Sequence, residues 1–140
     1  MTSIEGGCLC GAVRYHVTAQ PITTRVCWCR LCQKIGAGSA TVNVFFPTET
    51  MVVTGETVNY ESIADSGNLI HRRFCPKCGT HVFTQADARP HVIGVRAGSL
   101  DDPEVAKPEM TIWTSLAPSW ACIDESLPTF PTQPPPPPKP

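Results

Sequence analysis

No run of apolar residues in this chain approaches the length of a membrane span, so a transmembrane helix is not expected. Charge is scarce as well. Asp, Glu, Lys and Arg make up 16% of the 140 residues, the formal net charge is −1, and Arg72-Arg73 is the sole pair of adjacent basic residues. Nucleic-acid binders lean on clustered Lys and Arg, and that clustering is missing here. Met1 to Gly7 contain no apolar h-region, so no secretory signal is expected and the reading is of a cytoplasmic chain. The length is that of one domain with room for a real core.

Cysteine is present in excess. There are eight, and seven fall in tight groups: Cys8 with Cys10, then Cys27, Cys29 and Cys32, then Cys75 with Cys78. Disulfide partners usually come from separate stretches, whereas sulfurs this close in sequence suit a metal ion. Cys75-Pro76-Lys77-Cys78-Gly79 is the sharpest local signal, because two cysteines two residues apart make a turn that aims both sulfurs one way. Gly79 permits the tight or left-handed backbone such a turn needs. This knuckle supplies two ligands and needs a second pair. In an extended segment Cys8 and Cys10 would project together, and the four sulfurs would close a structural zinc site tying the N-terminal region to the middle of the chain.

Cys27-Trp28-Cys29-Arg30-Leu31-Cys32 then stands as three sulfurs without a fourth Cys or His in the next several residues. Three protein ligands are the mark of a catalytic zinc site. Two other readings stay open: a closed structural site completed by a distant His or by Cys122, and a redox dithiol at Cys29 and Cys32, which would need a βαβ setting. An ion on three thiolates carries a net charge of about −1, which Arg25, Arg30 and Lys34 are placed in sequence to offset. Zinc there would favour a thiolate over its acid, and soft sulfur suits it. A small thiol so activated has an aldehyde as its natural electrophile.

Period-two alternation over Ala12 to Val17 puts Val13, Tyr15 and Val17 on one face, which reads as a half-buried strand. Further strands are expected over Thr23 to Cys29, Ser39 to Phe46, Met51 to Gly55, Thr57 to Tyr60, Leu69 to Phe74, Thr80 to Thr84, His91 to Val95 and Met110 to Trp113, with one or two helical turns from Arg30 to Gly36. Many short strands punctuated by Gly and Pro indicate a mainly β sandwich or barrel. Residues 127–140 are mostly proline and are expected to be extended or disordered, a solvated tail or a ligand for an aromatic groove. Among the remaining side chains, His81 is a candidate outer-sphere group or proton carrier. His16, His71 and His91 are expected to be ordinary, Cys122 a small buried filler, and Trp113 and Trp120 core or interface residues.

Three ordered motifs carry a resemblance: Gly6-Gly7-Cys8-Leu9-Cys10-Gly11-Ala12-Val13, the Cys27-to-Cys32 cluster with Lys34 and Gly36, and Phe74-Cys75-Pro76-Lys77-Cys78-Gly79. They are similar to those of the glutathione-dependent formaldehyde-activating enzyme (GFA) family, which includes centromere protein V, and the likeness extends through Gly98 to Pro103 and Ile112-Trp113. The resemblance implies a β-tent fold of packed antiparallel sheets over residues 1–126. It also implies two zinc ions, a structural one on Cys8, Cys10, Cys75 and Cys78 and a catalytic one on Cys27, Cys29 and Cys32. The activity it implies is that of a carbon–sulfur lyase, with glutathione or a related thiol and an aldehyde as partners and neither nucleic acid nor membrane among them. The chain departs from the family at two positions, Trp28 where many members carry His and Gln33 where Arg or Lys is common. The rival expectation is a zinc-stabilised scaffold without catalysis that binds a protein partner.

Overall fold

Val13, Tyr15 and Val17 are at most 3% exposed, and their alternation with the outward-facing Arg14 and His16 shapes β2 (Arg14–Val17). The structure, a computed structural model, describes residues 3–135. β1 (Ile4–Gly7) pairs antiparallel with one side of β2, and β5 (Met51–Thr54) with the other, making a three-stranded sheet.

The second sheet has eight strands. Its spatial order is β11 (Thr129–Phe130), β10 (Met110–Ile112), β3 (Thr23–Cys27), β4 (Thr41–Pro47), β9 (Val92–Arg96), β8 (His81–Ala86), β7 (Leu69–Phe74) and β6 (Val58–Ile63). A two-turn helix, α1 (Arg30–Ile35), links β3 to β4. The protein is therefore mainly β, with packed sheets as expected. Most pairings are antiparallel, but β10 runs parallel to β3 and β11 parallel to β10. The long connection from β9 carries the chain across the sheet before β10 begins, and a parallel neighbour requires such a crossover. The two short strands expected after Pro47 both form, but β5 joins the small sheet on β2 while β6 is the far edge of the large one on β7.

The large sheet uses its two faces differently. Val44 and Phe46 of β4, Val82 of β8 and Val95 of β9 are fully buried against Val13, Tyr15 and Val17 of the small sheet. Burial of each such side chain contributes on the order of 1.5–3 kcal/mol. Tyr15 packs edge-on against Phe83 at 5.4 Å, and its hydroxyl is 2.7 Å from the Ser99 hydroxyl. On the other face, Arg25 of β3, Thr41 and Asn43 of β4 and Arg96 of β9 are buried polar groups, with Cys27 of β3 buried beside them. A fold seldom buries so many without a use for them.

One residue and one segment sit elsewhere than the sequence suggests. Cys122 is exposed, not a buried filler, because it lies in an irregular surface segment. Residues 127–135 run along the sheet, with Thr129–Phe130 paired to β10; residues 136–140 lie outside the described part. Among the described residues no helix is long and apolar enough to cross a membrane.

Candidate functional site

The four cysteines nearest the small sheet converge. The Sγ atoms of Cys8, Cys10, Cys75 and Cys78 all lie within 4.8 Å of one another. Cys8 and Cys10 do so from a turn, not from the extended segment expected: the chain reverses between β1 and β2, and Gly11 N donates to Cys8 O at 3.2 Å. On the other side Gly79, with φ +75°, lets its own N–H reach back to Cys75 O at 2.9 Å. Backbone amides then point at sulfur, Val13 N to Cys8 Sγ at 3.2 Å and Lys77 N to Cys75 Sγ at 3.4 Å. The Thr80 hydroxyl and amide hold the Cys78 thiol down to about 5. Such amide donation is what stabilises thiolates. Tetrahedral zinc with bonds of about 2.3 Å spaces its sulfurs about 3.8 Å apart. Cys8 and Cys10 are separated by 3.7 Å and Cys10 and Cys75 by 3.8 Å, so this group could hold such an ion.

Cys27, Cys29 and Cys32 form a second group, their sulfurs again within 4.8 Å and all three buried. Cys27 ends β3, and Cys32 returns on the first turn of α1. Cys29 caps that helix through sulfur, with Cys32 N donating to Cys29 Sγ at 3.3 Å. Among the described residues no further Cys, His, Asp or Glu joins the group, and all eight cysteines are free of disulfides. Hydrogen bonds from Cys27 and Cys29 pull the Cys32 thiol far down, aided by Thr41 and the positive charge of Arg96. Cys27 is pushed far up by its contacts with Cys29 and Cys32 and by burial. Three sulfurs this close and this dry accommodate one negative charge and resist the next. A cation among them would lift that resistance, so the donor set fits a bound metal ion.

The departures at Trp28 and Gln33 fall on the scaffold of this group. Gln33 is buried, and its Nε2 donates to Trp28 O at 2.7 Å and Leu116 O at 3.0 Å, clamping the loop that carries the sulfurs. Trp28 is buried edge-on against Trp120, which is itself largely exposed. Neither Trp28 nor Gln33 lines the cavity onto which the three cysteines open.

That cavity has a volume of about 330 Å³. Register builds its floor: Arg25 of β3 lies opposite Asn43 of β4, and Asn43 opposite Arg96 of β9. Arg96 Nη1 donates to Asn43 Oδ1 at 2.6 Å, and Asn43 Nδ2 to Thr41 Oγ1 at 3.1 Å. Gly94, one step along the same face, must lack a side chain, since a Cβ there would stand 2.8 Å from Thr84 Cγ2 and 3.0 Å from Phe45 Cε1. Arg72 reaches the cavity from β7 with its Nη1 bonded to Ser62 Oγ at 2.5 Å. Arg89 and a single acid, Asp65, also line it.

Of the cations expected near the cluster, Arg25 is at the cavity, whereas Arg30 and Lys34 are exposed on α1. His81 is not among the cavity's lining residues. It lies in a shallower cleft with Thr41 and Gly98, where burial and the charges of Arg96 and Arg72 lower its pKa. Arg96 lines both hollows. His16, His71 and His91 are also absent from the cavity wall; His71 bonds Asp87 at 3.0 Å on the surface. Asn43, Arg72 and Arg96 were not singled out from sequence. An Arg two residues before the first cysteine shares its strand face and is legible, but Arg96 reaches the site only through the register of β9.

Trp113 also serves the cavity. Its backbone is left-handed, φ +59°, a strain of about 1–2 kcal/mol for a non-glycine residue. The indole lines the wall, and Nε1 donates to Gln133 Oε1 at 2.9 Å. Gln133 and Pro134 complete that side, and Arg25 Nη2 donates to Pro135 O at 3.2 Å.

Residues 3–116 match the family profile described as glutathione-dependent formaldehyde-activating enzyme. A protein of Halomonas elongata, provisionally named for that activity, is 28% identical over 127 residues, 86% of this chain and 81% of its own. The crystal structure of a Rhodobacter sphaeroides protein superposes with a TM-score of 0.57 at 22% identity, over 74% of this chain and 96% of that one. At that identity the likeness speaks for the fold.

Proposed function

Because the chain belongs to the glutathione-dependent formaldehyde-activating enzyme family, we propose that it is a zinc-dependent carbon–sulfur lyase-type enzyme. Its substrates would be glutathione and formaldehyde, combining to S-hydroxymethylglutathione, or a related small thiol and carbonyl. The observation that carries this reading is the position of Cys27, Cys29 and Cys32, three converging sulfurs on the wall of a cavity. Cys8, Cys10, Cys75 and Cys78 would hold a structural ion away from that cavity.

Zinc on the three sulfurs would act as a Lewis acid and favour the thiolate form of an incoming thiol. The remaining work falls to the chain. Arg25, Arg72 and Arg96 give the cavity a positive potential that draws in an anionic thiol. As the carbon–sulfur bond forms and the carbonyl π bond opens, charge collects on oxygen, and those guanidinium groups steady it. Phe45, Ile112 and Trp113 supply apolar walls that limit water around the reacting atoms. The thiol proton leaves to solvent and solvent returns one to the alkoxide, since no histidine lines the cavity among the described residues.

Formation of the hemithioacetal from glutathione and formaldehyde tests this directly. The wild type should exceed the spontaneous rate and Cys29→Ser should fall to it. Equal rates for the two proteins would remove the enzymatic reading.

A further inference from the structure

Two buried guanidinium groups on the cavity floor lack full hydrogen bonding. Arg25 is 6% exposed and Arg96 8%. Arg25 Nε, Arg96 Nε and Arg96 Nη2 have no hydrogen-bond partner among the described residues. Buried cationic donors left unpaired cost several kcal/mol, so they are expected where a ligand completes them. The acids nearby are engaged by backbone: Asp65 accepts from Arg30 N at 3.3 Å and Glu109 from Thr24 N at 3.1 Å. Compensation of the sulfur cluster's own charge accounts for Arg96 beside Cys32. Arg25 feels the charges of Glu109 and Cys27 without bonding either, and its one hydrogen bond among the described residues runs to the carbonyl of Pro135.

We propose that Arg25, with Arg96 across Asn43, is a carboxylate-binding subsite beside the three cysteines, and that residues 132–135 cover it until a carboxylate-bearing ligand displaces them. The proposal rests on the thiol–aldehyde reading for the identity of the neighbouring group; what it adds is that Arg25 takes a carboxylate of that thiol, of which glutathione has two, and that residues 132–135 compete for the place. The Pro135 oxygen marks where a ligand oxygen would stand.

The covering segment is built to let go. Up to Pro131 it is fixed by backbone: Thr111 N donates to Pro128 O at 3.0 Å, β11 pairs with β10, and Ser115 N donates to Pro131 O at 3.2 Å. Beyond Pro131 the bonds come from cavity side chains, Trp113 to Gln133 and Arg25 to Pro135. Pro134 and Pro135 have no N–H, so release strands no backbone donor there. The family match ends at residue 116. The strap lies outside the residues that the family profile matches.

The test is calorimetric titration of the zinc-loaded full chain with 3-mercaptopropionate and 3-mercapto-1-propanol, and with the S-methyl ethers of both. Each acid should bind about tenfold tighter than its alcohol, and Arg25→Gln should bring that ratio close to one. Deleting residues 132–140 should tighten the acids about tenfold more than the alcohols, as expected if the strap masks the subsite about nine-tenths of the time. Gln133→Ala should move affinity the same way by a smaller factor, and keeps the test valid if Arg25→Gln fails to fold. Acids and alcohols binding alike in both the full and the shortened chain would overturn the subsite. Deletion that leaves acid affinity unchanged or weaker would overturn the strap. The ethers cannot form a thiolate, so their preference for the acid stands or falls apart from the hemithioacetal assay.

Discussion

The two sulfur groups use the same donor atom in opposite surroundings. Around Cys8, Cys10, Cys75 and Cys78, turns from distant parts of the chain meet, amides and the Thr80 hydroxyl point at sulfur, and none of the four lines the arginine-floored cavity. Cys27, Cys29 and Cys32 come from a single loop, lie buried, and share their space with arginines as well as the Cys32 amide. Closure by four ligands from separate segments serves the fold; three ligands from one segment leave the fold little dependent on them and one side facing the cavity. On the proposed reading, ligand count and access to the cavity, not residue type, divide stability from chemistry.

The largest break in that contrast comes from the outer group. Cys75→Ser, or a chelator strong enough to strip both ions, should cost most of a metal-binding free energy of about 10 kcal/mol. Circular dichroism should then show loss of the β signal at ambient temperature. Cys29→Ser should do the reverse, lowering turnover at least about 1,000-fold, or about 4 kcal/mol in barrier, with the melting temperature nearly unchanged and the metal content reduced from two ions towards one. If both substitutions unfold the protein equally, the division of labour is wrong.

Alkali sharpens the contrast from the core side. Tyr15 packs with Cys8 and Cys75, and burial pushes its hydroxyl up to about 12 from 10.0. The unfolded chain therefore releases this proton first. Stability is full below pH 10 and falls as the pH rises towards 12, by about 3 kcal/mol in total. Denaturant melts across that range should show the slope in the wild type and not in Tyr15→Phe. The smallest effect is at Gln33. Gln33→Ala leaves Trp28 O and Leu116 O without their donor and should cost about 1–3 kcal/mol, with turnover falling as the loop of the inner group loosens. A loss of turnover with no loss of stability would instead make Gln33 a ligand-binding residue.

Much of this was legible in the chain. Cysteine spacing pointed to each close set of sulfurs because those two or three residues apart are brought together by a local turn, whereas the meeting of Cys8 and Cys10 with Cys75 and Cys78 depends on the fold. Alternation in Val13 to Val17 and in Thr41 to Phe46 exposed two faces, since side-chain direction in a strand is also local. What stayed hidden is what depends on sheet order. The row Arg25, Asn43 and Arg96 exists only through register between three strands distant in sequence. The parallel placement of β10, which lets Trp28 N bond Ile112 O, is likewise long-range. His81 looked well placed beside a cysteine pair, yet that pair serves the outer group, and the ring faces a different hollow. Proline content suggested a free tail because composition reports what a segment cannot bury, not what exposed edge it can borrow.

Arg96 lines both the main cavity and the more open cleft that holds His81. Its guanidinium, pinned at one end by Asn43, is thus part of what separates the two. Shorten that side chain and the sulfur chamber acquires a back door, through which solvent and small aldehydes could come and go without passing the strap.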